Sequence, residues 1–145
     1  MNKYMPYAIE EAKKAMANDE IPVGAVIVRD GKIIAKGHNR VEETGCVLNH
    51  AEINAIEEAS RICGKFLNDC ELYVTLEPCP MCTGAIINSR LKRLYIGAAE
   101  PNSGSCGTKL DIIRDFNHSI EVYHGIMESK CAELMKDFFE KLRKK

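Results

Sequence analysis

Four side chains in two short segments can do chemistry together: His50 and Glu52 in His50-Ala51-Glu52, and Cys79 and Cys82 in Pro78-Cys79-Pro80-Met81-Cys82. Each segment lies where the surrounding pattern predicts that a helix begins. Two cysteines three apart at a helix start present both sulfurs on one face. The helix N-terminus favours negative charge, so both thiols ionise more readily there. Two thiolates and one imidazole make three ligands for one zinc ion per chain. They leave a fourth position for water, the arrangement of a catalytic rather than a structural site. His50 and Glu52 are two apart, and in a helix interior they would point about 200° away from each other. They converge only above the first turn. A glutamate beside such a water is a natural general base and acid. Glu52 is therefore the candidate catalytic residue, and His50, Cys79 and Cys82 are the candidate metal ligands.

Taken singly, each residue has a plainer reading. Cys79 and Cys82 fit a redox pair or buried thiols, His50 a satisfied histidine, and Glu52 an ordinary first-turn residue. The four together, each pair opening a helix, fit the metal site far better. Cys63, Cys70 and Cys131 read as small buried apolar residues. Cys46 and Cys106 fall in two loops expected to border the site, and His118 and His124 read as structural.

The elements that must position these residues follow from periodicity. Lys3 to Ala17 reads as an amphipathic helix with Met5, Ala8, Ile9, Ala12 and Met16 on one side. Val23 to Val28 and Ile33 to Gly37 read as two strands joined by an Asp30-Gly31 hairpin turn. Residues 38–49 are expected to be loop, followed by a helix from His50 to Ile62 that stops near Gly64. Leu72 to Leu76 is a third strand, and Pro78 is expected to open the next helix, which runs toward Ser89. Leu94 to Gly97 is a fourth strand, and the Gly- and Ser-rich Pro101 to Thr108 a loop. A short helix at Leu110 to Arg114 and a fifth strand at Ile120 to Tyr123 lead to a last helix. In that helix the stripe Cys131, Leu134, Met135, Phe138 and Leu142 reads as core. Alternating helices and strands predict an α/β fold, a three-layer α-β-α sandwich with a mixed five-stranded central sheet. Ligands in such folds sit at loop ends and helix N-termini, beyond the sheet edge.

The bulk properties agree with an enzyme of this kind. With 145 residues, the chain is expected to form one domain over 1–145. Apolar residues make up 46% and charged residues 28%, which is ordinary for a soluble protein. No apolar run reaches membrane-span length, so no membrane association is expected. Met1 to Asn18 lacks an unbroken apolar stretch and does not read as a signal peptide. Seven cysteines, an odd number, without such a peptide point to a reducing, cytoplasmic setting. The formal net charge of −1 gives no global basic field for nucleic acid. Basic residues do cluster, at Lys141, Arg143, Lys144 and Lys145 and at Arg90, Lys92 and Arg93. On charge alone these read as a solvated helix end and a solvated turn. No protein partner is evident.

The pattern His-x-Glu followed by Pro-Cys-x-x-Cys is the known signature of the zinc nucleobase deaminases of the cytidine deaminase superfamily, so the fold is expected to be cytidine deaminase-like. More closely, the chain resembles the bacterial tRNA adenosine deaminases, most clearly from Ile21 to Phe139. The matching segments include Ile21 to Val26, His38-Asn39, His50 to Ile53, Tyr73 to Cys82, Gly84-Ala85, Ser89-Arg90, Gly104 to Thr108, Asn117-His118 and Phe138-Phe139. The resemblance implies conversion of adenosine to inosine at the wobble position of a tRNA anticodon. It implies a homodimer in which the helical side of one subunit helps to shape the partner's active site. Asn39 resembles the residue that hydrogen-bonds the flipped base, with Ala51, Pro78 and Glu100 also beside the substrate. The loop Glu100 to Gly107 and the last helix would meet the anticodon loop, with Arg90, Lys109, Phe138, Arg143 and Lys144 as RNA contacts. The chain departs from its family at Glu100-Pro101-Asn102, where Asp-Pro-Lys or Asp-Ala-Lys is usual. It departs also at Leu48-Asn49, where many members have Thr-Ala, and at Glu140, where a basic residue is common.

Three function classes follow. In the first, an RNA-editing enzyme, Glu52 takes a proton from the water, delivers it to adenine N1 and then protonates the leaving amine. The second is a small-molecule deaminase acting on guanine, cytosine or deoxycytidylate, since His50 to Ile56 also looks like deoxycytidylate deaminases. The third is a non-catalytic, zinc-stabilised binding module. Glu52 argues against the third. Gly104 to Thr108 and the basic tail favour the first over the second. Guanine deaminases also usually carry an aromatic residue where this chain has Val23.

Overall fold

The structure is a computed structural model that describes residues 2–116 and 119–144. Asn117, His118 and Lys145, named above for their family match, structural role or charge, lie outside the described residues. The elements are α1 (Met5–Ala17), β1 (Gly24–Arg29), β2 (Lys32–His38), α2 (Val41–Thr44), α3 (Ala51–Cys63), β3 (Cys70–Leu76), α4 (Pro80–Asn88), β4 (Arg93–Ala98), α5 (Ile112–Asp115), β5 (Glu121–Tyr123) and α6 (Glu128–Arg143).

The strands form one five-stranded mixed sheet in the order β2-β1-β3-β4-β5. β1 runs antiparallel to both β2 and β3, while β4 lies parallel to β3 and β5 parallel to β4. Strands β2, β3, β4 and β5 therefore all point the same way. Their C-terminal ends open on one edge, the edge at which ligands bind in such sheets.

Alternation along the strands sends residues to opposite faces. Ala25, Ile27, Leu72, Val74, Leu94 and Ile96 pack under Ala51, Ala55 and Ala59 of α3 and Ile86 of α4. Val26, Val28, Tyr73 and Tyr95 pack under Met5, Ala8 and Ala12 of α1 and Cys131 and Leu134 of α6. The sheet thus lies between two helical layers, the expected three-layer sandwich. On the α1/α6 face, Tyr73, Tyr95 and Tyr123 stand at equivalent positions of neighbouring strands. Their rings stack at centroid separations of 4.3 and 5.1 Å, which ties the short β5 to the sheet.

Close approach of α3 to the sheet depends on Gly37. A Cβ there would lie 2.3 Å from the Ala51 carbonyl oxygen and 2.6 Å from the Ala55 nitrogen. The first turn of α3 can rest on β2 only because that atom is absent.

Three local expectations need correction. The segment 38–49 is not all loop, because it contains α2, whose first amides are held by a carboxylate far away in sequence. Helix α4 opens at Pro80 rather than Pro78, and Cys79 caps it with an extended backbone. Finally, the α6 stripe is core only in part. Cys131, Leu134 and Phe138 are buried, but Met135 is half-buried and Leu142 is 52% exposed.

Because Gly37 touches backbone rather than a yielding side chain, Gly37→Ala is expected to destabilise the fold by about 1–3 kcal/mol or more, the usual scale for overpacking. Thermal unfolding of the purified variant measures this. A melting temperature equal to wild type would show that α3 does not need the close approach.

Candidate active site

The cleft at the strand-end edge is built from connections. The segment after β2 leads into α3, the segment after β3 into α4, and a long loop follows β4. His50 is the N-cap of α3 (φ −76°, ψ 155°) and Cys79 the N-cap of α4 (φ −74°, ψ 175°). Neither side chain bonds its own helix, so both are free to face the space between the two helix starts. Cys82, one turn into α4, faces the same space.

His50 Nδ1 lies 3.7 Å from Cys79 Sγ and 3.4 Å from Cys82 Sγ, and the three donor atoms are all within 4.8 Å of one another. In a tetrahedral zinc site with ordinary bond lengths, the nitrogen-to-sulfur edge is about 3.6 Å. The triangle therefore matches the edges of a metal polyhedron with one open corner. The donor set, two sulfurs and one imidazole, suits the same ion. Among the described residues this is the one group of three or more such donors close enough to hold a metal.

The protonation states of the cluster are mutually dependent. Cys79 is held down at about 4, first by the hydrogen bond from Cys82 and also by His50. Cys82 is pushed up by that same hydrogen bond and by burial, and His50 is raised chiefly by its bond to Cys79. Both neighbours thus favour negative charge on Cys79, the form in which a thiol binds a metal.

Glu52 sits in the first turn of α3 and is only 3% exposed. Burial pushes its carboxyl up to about 7, with the negative charge of Cys79 adding to the effect and His50 opposing it. The carboxyl is thus placed where it can both take and give a proton near neutral pH.

A cavity of about 860 Å³ opens in front of the cluster. His50, Ala51, Glu52 and Cys79 form part of its wall, together with Ile21, Val23, Asn39, Val47 and Leu76. The far wall comes from Glu100, Asn102 and Ser103 and from Met135, Phe138, Phe139 and Leu142 of α6. Asn39 is engaged on both sides of its amide. It donates to the Ile21 carbonyl at 3.3 Å and accepts from the Val41 N–H at 3.3 Å.

Not every candidate residue reaches this wall. Pro78 is buried behind it, and its carbonyl accepts from the Ser105 N–H at 3.0 Å. Lys109 is exposed, outside the lining residues. Arg90 lies beyond the C-terminus of α4, the end away from the cysteines, with its guanidinium 4.0 Å over the Phe66 ring. Arg143 and Lys144 are exposed at the end of α6, beside Leu142 on the cavity wall.

Of the other cysteines, Cys70, Cys106 and Cys131 are buried, and burial pushes their thiols up to about 12, 12 and 11. Cys63 is half-buried and accepts from the Arg29 guanidinium at 3.1 Å, and Cys46 is half-buried in the loop before α3. His124 lies 2.9 Å from the Cys106 carbonyl, a structural contact.

Two buried carboxylates lining this cavity were not anticipated. Glu20 is 1% exposed and accepts from the N–H groups of Glu42 and Glu43 at 2.9 and 2.8 Å, which holds α2 at the mouth of the cavity. Glu77 is 2% exposed and is bonded to the loop after β4. Periodicity carries no sign of such long-range bonds. The one available signal was a charged residue ending a buried apolar strand, as in Leu76-Glu77-Pro78.

An α/β sheet that presents His-x-Glu and Cys-x-x-Cys at two adjoining helix starts defines a deaminase of the cytidine deaminase-like fold. The chain belongs to the MafB19-like deaminase family, matched over residues 1–143. It is 45% identical over 145 residues to a tRNA-specific adenosine deaminase of Bacillus subtilis, covering 98% of this chain and 90% of the relative. A tRNA:A34 deaminase, solved in a study of A-to-I editing at the wobble position of transfer RNA, superposes with a TM-score of 0.88. It is 41% identical, and the match covers 92% of this chain and 99% of that one. A guanine deaminase from Nitrosomonas europaea is more distant, with a TM-score of 0.82 and 26% identity over 92% of this chain and 81% of that one.

If the three donors hold one metal, wild-type protein should carry about one zinc per chain, while Cys79→Ser and Cys82→Ser should each lose most of it. Elemental analysis decides this, and full zinc in both variants would remove the ligand assignment.

Proposed function

We propose that this cleft deaminates adenosine to inosine at the wobble position of a tRNA anticodon, that His50, Cys79 and Cys82 hold one zinc ion, and that residues 1–145 act as one deaminase domain. The observation that carries the reading is the buried Glu52 carboxyl, poised near neutrality against a triangle of metal donors at the floor of a cavity wide enough for a purine. Held by His50, Cys79 and Cys82, zinc would supply the Lewis acidity that makes a water nucleophilic near neutral pH.

Glu52 takes the proton that this water loses and hands it to purine N1, which makes C6 the better electrophile. As the remaining hydroxyl adds to C6, Glu52 takes its second proton and passes it to the amine, so the C6–N bond breaks, ammonia leaves and C6 keeps the oxygen as the inosine carbonyl. Asn39 spends one donor and one lone pair on its neighbours, so its second N–H and second lone pair remain for a base edge. Ala51 presents no bulk beside the cluster, which leaves room for the ring. Pro78 stiffens the cysteine loop from behind, and Glu100 stands at the rim. The apolar walls from Ile21, Val23, Leu76 and Phe138 offer faces against which a flipped base can pack.

The closer match to tRNA deaminases than to guanine deaminase supports RNA as substrate, as do the cations at the end of α6, beside the cavity wall. Arg143 and Lys144, with Lys109 and Arg90 farther out, are the proposed phosphate contacts, and Phe138 a contact from the wall. We assign the chain a homodimeric state. Its support is the family resemblance and the exposed apolar side chains Leu110 and Phe116 flanking α5. Seven free cysteines suit the cytoplasm, where tRNA is found.

Glu52→Ala should retain its zinc and its melting temperature, since Glu52 is not a ligand. Its turnover of an A34 anticodon stem-loop should fall by at least ~100-fold, the usual scale for a general acid–base group. Ammonia release measured across that stem-loop, free adenosine, guanine, cytosine and deoxycytidylate tests the substrate directly. Guanine or deoxycytidylate as the best substrate would replace the RNA reading with a small-molecule one.

Phosphate contacts weaken as salt rises, with a slope set by the number of phosphates neutralised. Replacing Arg143 and Lys144 by Ala should raise KM for the stem-loop and flatten its salt dependence, while kcat at saturation changes less. An unchanged salt slope would take the α6 terminus out of the RNA interface.

A further inference from the structure

Glu77 has no part in the proposed chemistry, yet it is among the most thoroughly hydrogen-bonded side chains in the protein. It stands between the last residue of β3 and Pro78-Cys79, and its own N–H donates to the Ala98 carbonyl at 2.8 Å. Its carboxylate receives four bonds, all from the loop after β4. Oε1 accepts from the Glu100 N–H at 3.2 Å and from the Thr108 hydroxyl. Oε2 accepts from the N–H groups of Cys106 and Thr108 at 3.0 and 3.1 Å.

The loop is fitted closely around this group. A Cβ on Gly104 would lie 2.6 Å from both Cδ and Oε1 of Glu77. Burial favours the neutral acid, but the bonds from Thr108, Glu100 and Cys106 outweigh it and hold the carboxyl below the ordinary range. The same loop carries Glu100, Asn102 and Ser103 to the cavity wall. Its two ends, at Glu100 and Thr108, are both fixed by this one carboxylate.

We propose that Glu77 is a positioning residue for substrate recognition: its carboxylate docks the loop 100–108 onto the segment that carries Cys79, and so holds Glu100, Asn102 and Ser103 where the anticodon loop must seat. This rests on the reading that the cleft deaminates a tRNA adenosine. The residue acts through the rim and not through the metal, because all four bonds run to the rim loop and none to the donor cluster.

Glu77→Gln keeps size and shape but replaces one accepting oxygen with a donating amide, so N–H would face N–H at part of the clasp. The variant should hold its zinc and keep kcat within about twofold. Its KM for an A34 stem-loop should rise about tenfold, the scale of one lost charge-assisted bond. Amide hydrogen exchange at Cys106 and Thr108 should quicken, and Glu77→Asp, which keeps both accepting oxygens, should recover part of the KM.

An unchanged KM, a fall in kcat alone, or loss of zinc would each overturn the proposal. Should Glu77→Gln fail to fold, Thr108→Val removes one donor and leaves the charge in place. It should raise KM less but in the same direction, and a wild-type KM there would also overturn it. Wild-type protein that does not deaminate the stem-loop would instead remove the functional reading on which the proposal stands.

Discussion

The common direction of β2, β3 and β4 is the constraint on which everything else depends. β1 runs against its two neighbours, which leaves β2 parallel in sense to β3 even though the strands do not touch. The segments after β2 and β3 therefore start from the same edge, and each returns across the sheet as a helix. Two helix N-termini, with their unpaired N–H groups and partial positive charge, end up side by side. Thiolates are stabilised there, and residues two or three apart in sequence can face one point instead of diverging around a helix. Reversing the β1–β2 hairpin against β3 would move α3 to the opposite edge and separate His50 from the cysteines.

Burial of acid is handled in two ways around this edge. Glu20, Glu52 and Glu77 are all at most 3% exposed. Glu20 and Glu77 are surrounded by backbone N–H groups and serve as anchors for α2 and for the loop after β4. Glu52 has only its own backbone N–H and Cys82 to bond it and lies against the Cys79 charge, so burial outweighs those bonds and raises it toward neutrality. One residue type thus serves twice as a mechanical anchor and once as a carboxyl held near neutrality, and the surroundings alone decide which. The anchors fix two sides of the cavity, and the third carboxyl lies in its wall beside the metal-donor cluster.

Much of this was legible in the chain. His50, Glu52, Cys79 and Cys82 could be read as one site because short spacing at a helix start is a local property. The strands were legible because runs such as Val26-Ile27-Val28 and Tyr73-Val74 are β-branched and aromatic. What escaped reading was non-local. Helix α2 has no apolar period of its own, and its first amides are held by Glu20, twenty-two and twenty-three residues earlier. Helix α6 keeps one apolar stripe over its whole length, but the sheet covers only the first part, and periodicity cannot tell where the cover ends. Pro78 and Pro80 are both plausible openings for α4. Only the extended backbone at Cys79 shows that the second one begins it.

Helix α1 begins and helix α6 finishes at opposite ends of the sheet. Tyr4, just before α1, donates to the Gly31 carbonyl in the β1–β2 turn, the end remote from the metal donors. Helix α6 finishes with Leu142 on the cavity wall. A tether, tag or second domain joined ahead of α1 would hang clear of the cleft, whereas the same cargo joined after α6 would stand at its entrance and compete for space with an incoming RNA loop. Orientation of attachment, a matter of indifference for the fold, thereby becomes a control on access.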